Sequence, residues 1–195
     1  MLKRLVSMEE TSKETKRLLY VGSLIKRKGV DLLIEALKYV DSDYELRIVG
    51  GGSEEEVNNI KCLAQKEGIL DKIVFCGFKQ DRELVREYEK AFLFLLPTRE
   101  DCFGLVLVEA LAMRIPIIAS KYADGAYDVI ENYKNGIIVD PYNAKDFAKT
   151  IENVLKGKIF LSGDNENIIN KFKFENTVHG YIDAIDYVMM KGSKE

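Results

Sequence analysis

The chain has 195 residues, 47% of them hydrophobic and 31% charged, which suits one well-cored domain and is short for two. A formal net charge of −3 argues against a general nucleic-acid surface, and no apolar run approaches the length of a membrane span. The amino terminus (MLKRLVSMEE) lacks a signal-peptide core, and Cys62, Cys76 and Cys102 are widely spaced with no metal-ligand pattern, so a cytoplasmic, reducing location is expected. His179 is the single histidine, which disfavours a His-containing zinc site or a Ser-His-Asp triad.

In chain order, residues 1–16 mix charge and polarity without a period and read as a tail or linker remnant. Residues 17–22 (RLLYVG) predict a strand, and residues 29–38 a helix with Val30, Leu33, Ile34 and Leu37 on one face. Residues 44–49 (YELRIV) predict the second strand and Gly50, Gly51 and Gly52 a turn. Ser53 with Glu54, Glu55 and Glu56 then opens a capped helix that runs to about Glu67. Residues 72–77 (KIVFCG) predict the third strand, and residues 81–90 a helix with Leu84, Val85 and Tyr88 inward. Residues 91–96 (AFLFLL) form a continuous apolar run, as in a strand buried on both faces, and Pro97 stops it. Strands over residues 115–120 and 136–139 and a helix over residues 144–155 follow. A last helix over residues 178–189 carries the stripe Val178, Tyr181, Ile182, Ile185, Val188 and Met189.

This alternation predicts an α/β fold, a Rossmann-like doubly wound parallel sheet with helices on both faces. A domain over residues 17–160 is expected, with residues 161–195 as a helical segment packing on it or crossing from it. Such sheets bind ligands beyond the carboxyl ends of their strands. The loops after residues 22, 49, 77, 96 and 120 therefore share one rim.

The densest chemistry on that rim lies between Pro97 and Ala110. Asp101 is expected to cap a helix starting near Phe103, whose free N–H groups and positive dipole end would attract an anion. Glu109 stands in an otherwise apolar helix, which calls for a partner or a ligand in a cleft, against the plainer reading of a single solvent-facing strip. Lys26, Arg27 and Lys28 could neutralise a diphosphate or form a solvated basic loop. The Gly50 to Gly52 turn invites a phosphate, but three glutamates crowd the helix behind it, so the anion is assigned to the Asp101 to Gly104 turn. Cys102 reads more simply as a small loop residue than as a nucleophile.

The pattern P-[ST]-x-x-[ED]-x-F-G-L-x-x-x-E-A-x-A over residues 97–112 resembles the signature of retaining glycosyltransferase family 4, with its E-x7-E motif present as Asp101 and Glu109. The segment Val21 to Gly29 resembles the family's V-G-R-x-x-x-x-K-G, with Ser23 in place of arginine. Residues 75–78 (FCGF) resemble the turn that meets the nucleotide base, and residues 124–130 (DGAYDVI) resemble G-G-x-x-E-V-I, with Asp124 and Asp128 as departures. The resemblance, running from about Tyr20 to about Leu155, implies the donor-binding half of a two-domain GT-B enzyme.

The implied donor is a UDP-, GDP- or ADP-sugar, with no metal or other cofactor. The implied site is Lys28 and Asp101 for catalysis, with Gly22, Ser23, Arg27, Lys28, Gly51, Gly77, Phe78, Asp101, Cys102, Phe103, Gly104, Leu105 and Glu109 holding the donor. An amino-terminal acceptor domain is the implied partner, able to place the protein at a membrane periphery and to receive the carboxyl-terminal segment. Without it, part of the apolar stripe is expected to stay exposed. The alternatives are a non-catalytic nucleotide-sugar-binding or interaction module, and another GT-B enzyme such as a nucleotide-sugar epimerase.

Overall fold

The computed structural model describes residues 15–162 and 166–192. Residues 1–14 of the tail expected over residues 1–16, and the whole of residues 163–165 and 193–195, lie outside the described residues, and Lys16 of that expected tail belongs to a strand. The elements are β1 (Lys16–Val21), α1 (Val30–Leu37), β2 (Tyr44–Val49), α2 (Glu54–Lys66), β3 (Ile73–Gly77), α3 (Asp81–Glu89), β4 (Leu93–Leu96), α4 (Leu105–Ala112), β5 (Ile117–Ser120), α5 (Ala126–Val129), β6 (Gly136–Val139), α6 (Ala144–Leu155), α7 (Glu166–Lys171) and α8 (Phe174–Gly192). The strands form one six-stranded sheet in the order β3-β2-β1-β4-β5-β6, with every pairing parallel.

Side chains alternate across each strand, so neighbouring apolar residues feed two separate cores. Leu18, Tyr20, Leu93 and Leu95 pack with Leu33 and Ile34 of α1, Ile60 of α2, and Phe147 and Ile151 of α6. Leu19, Phe94 and Leu96 point the other way, onto Tyr88 of α3, Leu107 and Leu111 of α4, Val129 of α5 and Ile168 of α7. All four residues of β4 are buried, which is why its sequence is apolar at every position. Each such side chain contributes about 1.5–3 kcal/mol of burial.

Two sequence expectations change in the folded chain. On α3, Val85 is 44% exposed, whereas Glu87 is buried. Leu46 and Ile48 take one face of β2 and leave Arg47 on the other, beneath α3, where a largely shielded cation needs a carboxylate. Arg47 Nε and Nη2 donate to Glu87 at 2.5 and 2.9 Å. The second change is at α4, which begins at Leu105 with Gly104 as its cap, in the left-handed region at φ 72° and with no side-chain cap. Asp101 therefore does not cap it. The hydrogen bond that Asp101 would have made to this helix is replaced by an ion pair described below.

The last described segment, α8, is helical, as expected, and longer than the periodicity predicts. On α8, Val178, Tyr181, Ile182, Ile185 and Met189 are exposed, while the side chain of Val188 lies outside the described residues. Among the described residues no helix is long and apolar enough to cross a membrane.

Candidate functional site

The strand order reverses direction between β1 and β4, and in sheets of this kind the ligand crevice lies at that switch point, beyond the carboxyl ends of the strands. After β1 come Gly22, Ser23 and a single 3-10 turn, Lys26–Lys28, with no buried residue of its own. After β4 come Pro97 to Gly104, leading into α4.

These two loops are laced together. Gly29 adopts φ 71°, and a Cβ there would stand 2.1 Å from the Pro97 carbonyl oxygen, so only glycine allows the approach. The buried Thr98 hydroxyl donates between the carbonyl oxygens of Arg27 (3.1 Å) and Glu100 (2.8 Å), and the Arg99 amide donates to Arg27 O at 2.8 Å. The Arg99 guanidinium holds Asp31 with two bonds of 2.7 and 2.8 Å and the Lys26 carbonyl with a third of 2.6 Å. The hydrogen bonds to Asp31, foremost, push the Arg99 pKa further up.

Within this frame Lys28 Nζ meets Asp101 Oδ2 at 2.5 Å, both side chains being mostly shielded. The Asp101 backbone is fixed from the β5 side, its amide donating to Tyr122 O at 3.0 Å and its carbonyl accepting from Asp124 N at 2.9 Å. Beneath the crevice the buried Tyr20 hydroxyl donates to Ser23 O at 2.7 Å. Burial, and then the Asp101 charge, raises the Tyr20 pKa. Two predicted catalytic residues from distant loops thus form one contact.

The helix termini divide the rim between them. At α2 the Ser53 hydroxyl accepts from Glu56 N at 3.2 Å and Glu56 accepts from Ser53 N at 2.7 Å. That amino terminus is satisfied by its own chain. At α4 there is neither a side-chain cap nor an acidic residue in the first turn, so although Leu107 N donates back to Gly104 O at 2.8 Å, no side chain of that turn competes with an external anion for the positive end of the helix.

The other expected residues fall into three groups. Gly22, Gly51 and Gly77 stand on neighbouring strand ends tied by Gly22 N to Val49 O (2.9 Å), Leu24 N to Gly51 O (2.9 Å) and Gly50 N to Gly77 O (2.8 Å). Phe78 and Leu105 are apolar side chains 77% and 70% exposed on this rim, and the Cys102 thiol is exposed as well. Phe103 is committed to packing, its ring meeting Phe172 edge-on at 5.6 Å. Arg27 turns to the Glu100 carbonyl, at 3.2 Å.

Glu109 does not join the Lys28–Asp101 contact. It is exposed, and the Tyr88 hydroxyl donates to its Oε2 at 2.7 Å, with burial first and this bond second raising the Tyr88 pKa. Sequence reasoning misses Tyr88, Asp31 and Arg99 as parts of the site. No spacing signals them, because each partner lies on a different element.

The sequence pattern of the glycosyl transferases group 1 family matches residues 6–173. The chain belongs to this family. An uncharacterized glycosyltransferase of Haemophilus influenzae is 33% identical over 144 residues, which are 71% of this chain and 39% of the relative. The lipopolysaccharide outer core galactosyltransferase WaaB superposes with a TM-score of 0.82 at 24% identity, covering 90% of this chain and 50% of WaaB. HepE of Anabaena, solved with UDP and glucose, gives a TM-score of 0.75 at 22% identity, covering 90% of this chain and 48% of HepE. These structural likenesses show that this family member shares the GT-B Rossmann-like half. The chain spans 32–47% of the length of the curated relatives it matches.

Proposed function

We propose that this group 1 chain is the donor-binding half of a retaining glycosyltransferase of family 4 type, which moves a sugar from a nucleoside diphosphate sugar to an acceptor held by another domain. The observation that carries the reading is the uncapped amino terminus of α4 beside the Lys28–Asp101 pair, at the point where the strand order reverses. As the sugar leaves, negative charge develops on the diphosphate, and fixed N–H dipoles with a nearby ammonium stabilise that charge without reorganising. Lys28 and the first turn of α4 supply both, so the reading needs no metal ion. Asp101 faces the donor sugar, Glu109 takes the ribose hydroxyls, and Gly77 with Phe78 receives the base. The UDP and glucose bound to HepE support a nucleotide donor.

The test is calorimetry of UDP, GDP and ADP against the chain and against Lys28→Met, together with sugar transfer by the complete protein. Binding by the parent, weakened in Lys28→Met, and transfer only by the complete protein are expected. Absence of nucleotide binding in both forms of the protein overturns the reading.

One observation favours a second reading, a nucleotide-sugar-binding module without transfer. Ser23 stands where the resemblance implies a second cation, and the nearby Arg27 and Arg99 are turned to other partners. Binding without transfer by the complete protein selects it.

A further inference from the structure

We propose that Arg99, clamped by Asp31, is a positioning residue that sets Lys28 for the diphosphate, an assignment that rests on the donor-binding reading. Arg99 is a cation at the crevice, and charge alone would make it a phosphate ligand. Its geometry gives it another task. Both terminal nitrogens are engaged by Asp31, one of them also by the Lys26 carbonyl, and the guanidinium lies over the Tyr142 ring at 5.7 Å.

The turn Lys26–Lys28 buries no residue, so no core packing holds the base of the Lys28 side chain. Arg99 grips this turn at two successive carbonyls, Lys26 O through its side chain and Arg27 O through its own amide. Asp31, in the first turn of α1, anchors the same guanidinium just beyond Lys28. The planar fork of arginine matches a carboxylate in this bidentate way, and a lysine ammonium cannot. Lys28 is therefore bracketed on both sides by groups that Arg99 holds, Arg27 O being shared with the Thr98 hydroxyl.

The test uses Arg99→Ala, Arg99→Lys, Lys28→Met and the Arg99→Lys/Lys28→Met double variant. Hydrogen exchange is read amide by amide, and affinities for UDP, GDP and ADP are compared with those for the bare nucleosides. Arg99→Ala and Arg99→Lys are expected to speed exchange at Lys28, Gly29 and residue 99 while β5 and α6 keep their rates. Nucleoside diphosphate affinity should fall about tenfold, as for a misplaced binding group, with nucleoside affinity unchanged and no further loss once Lys28 is absent. Uniform loosening of the whole fold, or losses that add in the double variant, overturn the assignment. A loss in Lys28→Met without one in either Arg99 variant overturns the assignment alone. Unchanged affinity in Lys28→Met overturns the diphosphate role of Lys28 and the assignment with it, whereas absence of nucleotide binding overturns the donor-binding reading.

Discussion

Lys28 and Asp101, 73 positions apart, meet at 2.5 Å across the gap between the β1 and β4 loops. The ammonium is therefore paired with a carboxylate, and an incoming diphosphate has to compete with it. Asp101→Asn removes the competing charge and keeps the shape. Nucleoside diphosphate affinity of the chain should rise roughly tenfold, about 1.4 kcal/mol, while transfer by the complete protein falls. Isothermal calorimetry checks the first effect, and unchanged or weaker binding in Asp101→Asn contradicts the competition.

Glu109 is held by the Tyr88 hydroxyl yet remains exposed. Its carboxylate charge is thus available to a ligand, whereas its hydrogen bond with Tyr88 survives in an amide. Glu109→Gln should weaken nucleoside diphosphate binding by about 1–3 kcal/mol and leave the melting temperature nearly unchanged. Equal affinities for the parent and the variant with every nucleotide that binds would return Glu109 to a surface role.

Gly29 combines a left-handed backbone with a Cβ position only 2.1 Å from the Pro97 carbonyl. Alanine there adds about 1–2 kcal/mol of backbone strain to a clash with main chain, which cannot swing aside as a side-chain tip can. Gly29→Ala should lose more than about 2 kcal/mol of stability and separate the two loops. Urea unfolding measures the first part, and a midpoint equal to that of the parent refutes it.

Glu87 is paired with Arg47 under α3, and this hydrogen bonding, foremost, lowers the Glu87 pKa. A depressed folded pKa gives stability that is full above the unfolded value, near pH 4.3, and is lost as pH falls through the folded value. Glu87→Gln should cost about 1–3 kcal/mol at pH 7, and the gap to the parent should narrow steadily below about pH 4.3. Urea midpoints between pH 7 and pH 3 check this. A gap independent of pH would mean that the pairing does not depend on ionisation.

The sequence by itself determines the layered fold. Its signals are local: the unbroken apolar run of β4 under Pro97, the alternation of β2, the capping box of Ser53 and Glu56, and the helical period of α6 all act within a few residues. The rim at the strand ends follows from the strand-helix alternation, and residues 97–112 mark its richest part without any contact being known. Tertiary structure decides the rest. Val85 leaves the inward side expected of it and Glu87 is buried instead, because Arg47, on strand β2, needs a charge. Asp101 leaves the helix it was expected to cap because Lys28 reaches it first. Arg99 finds Asp31 at a separation of 68 positions and Tyr88 finds Glu109 at 21. Periodicity reports which face a residue occupies on its own element. Which charges meet depends on how closely two elements are brought together, and that is set by the packed sheet and by glycines such as Gly29 that allow the approach.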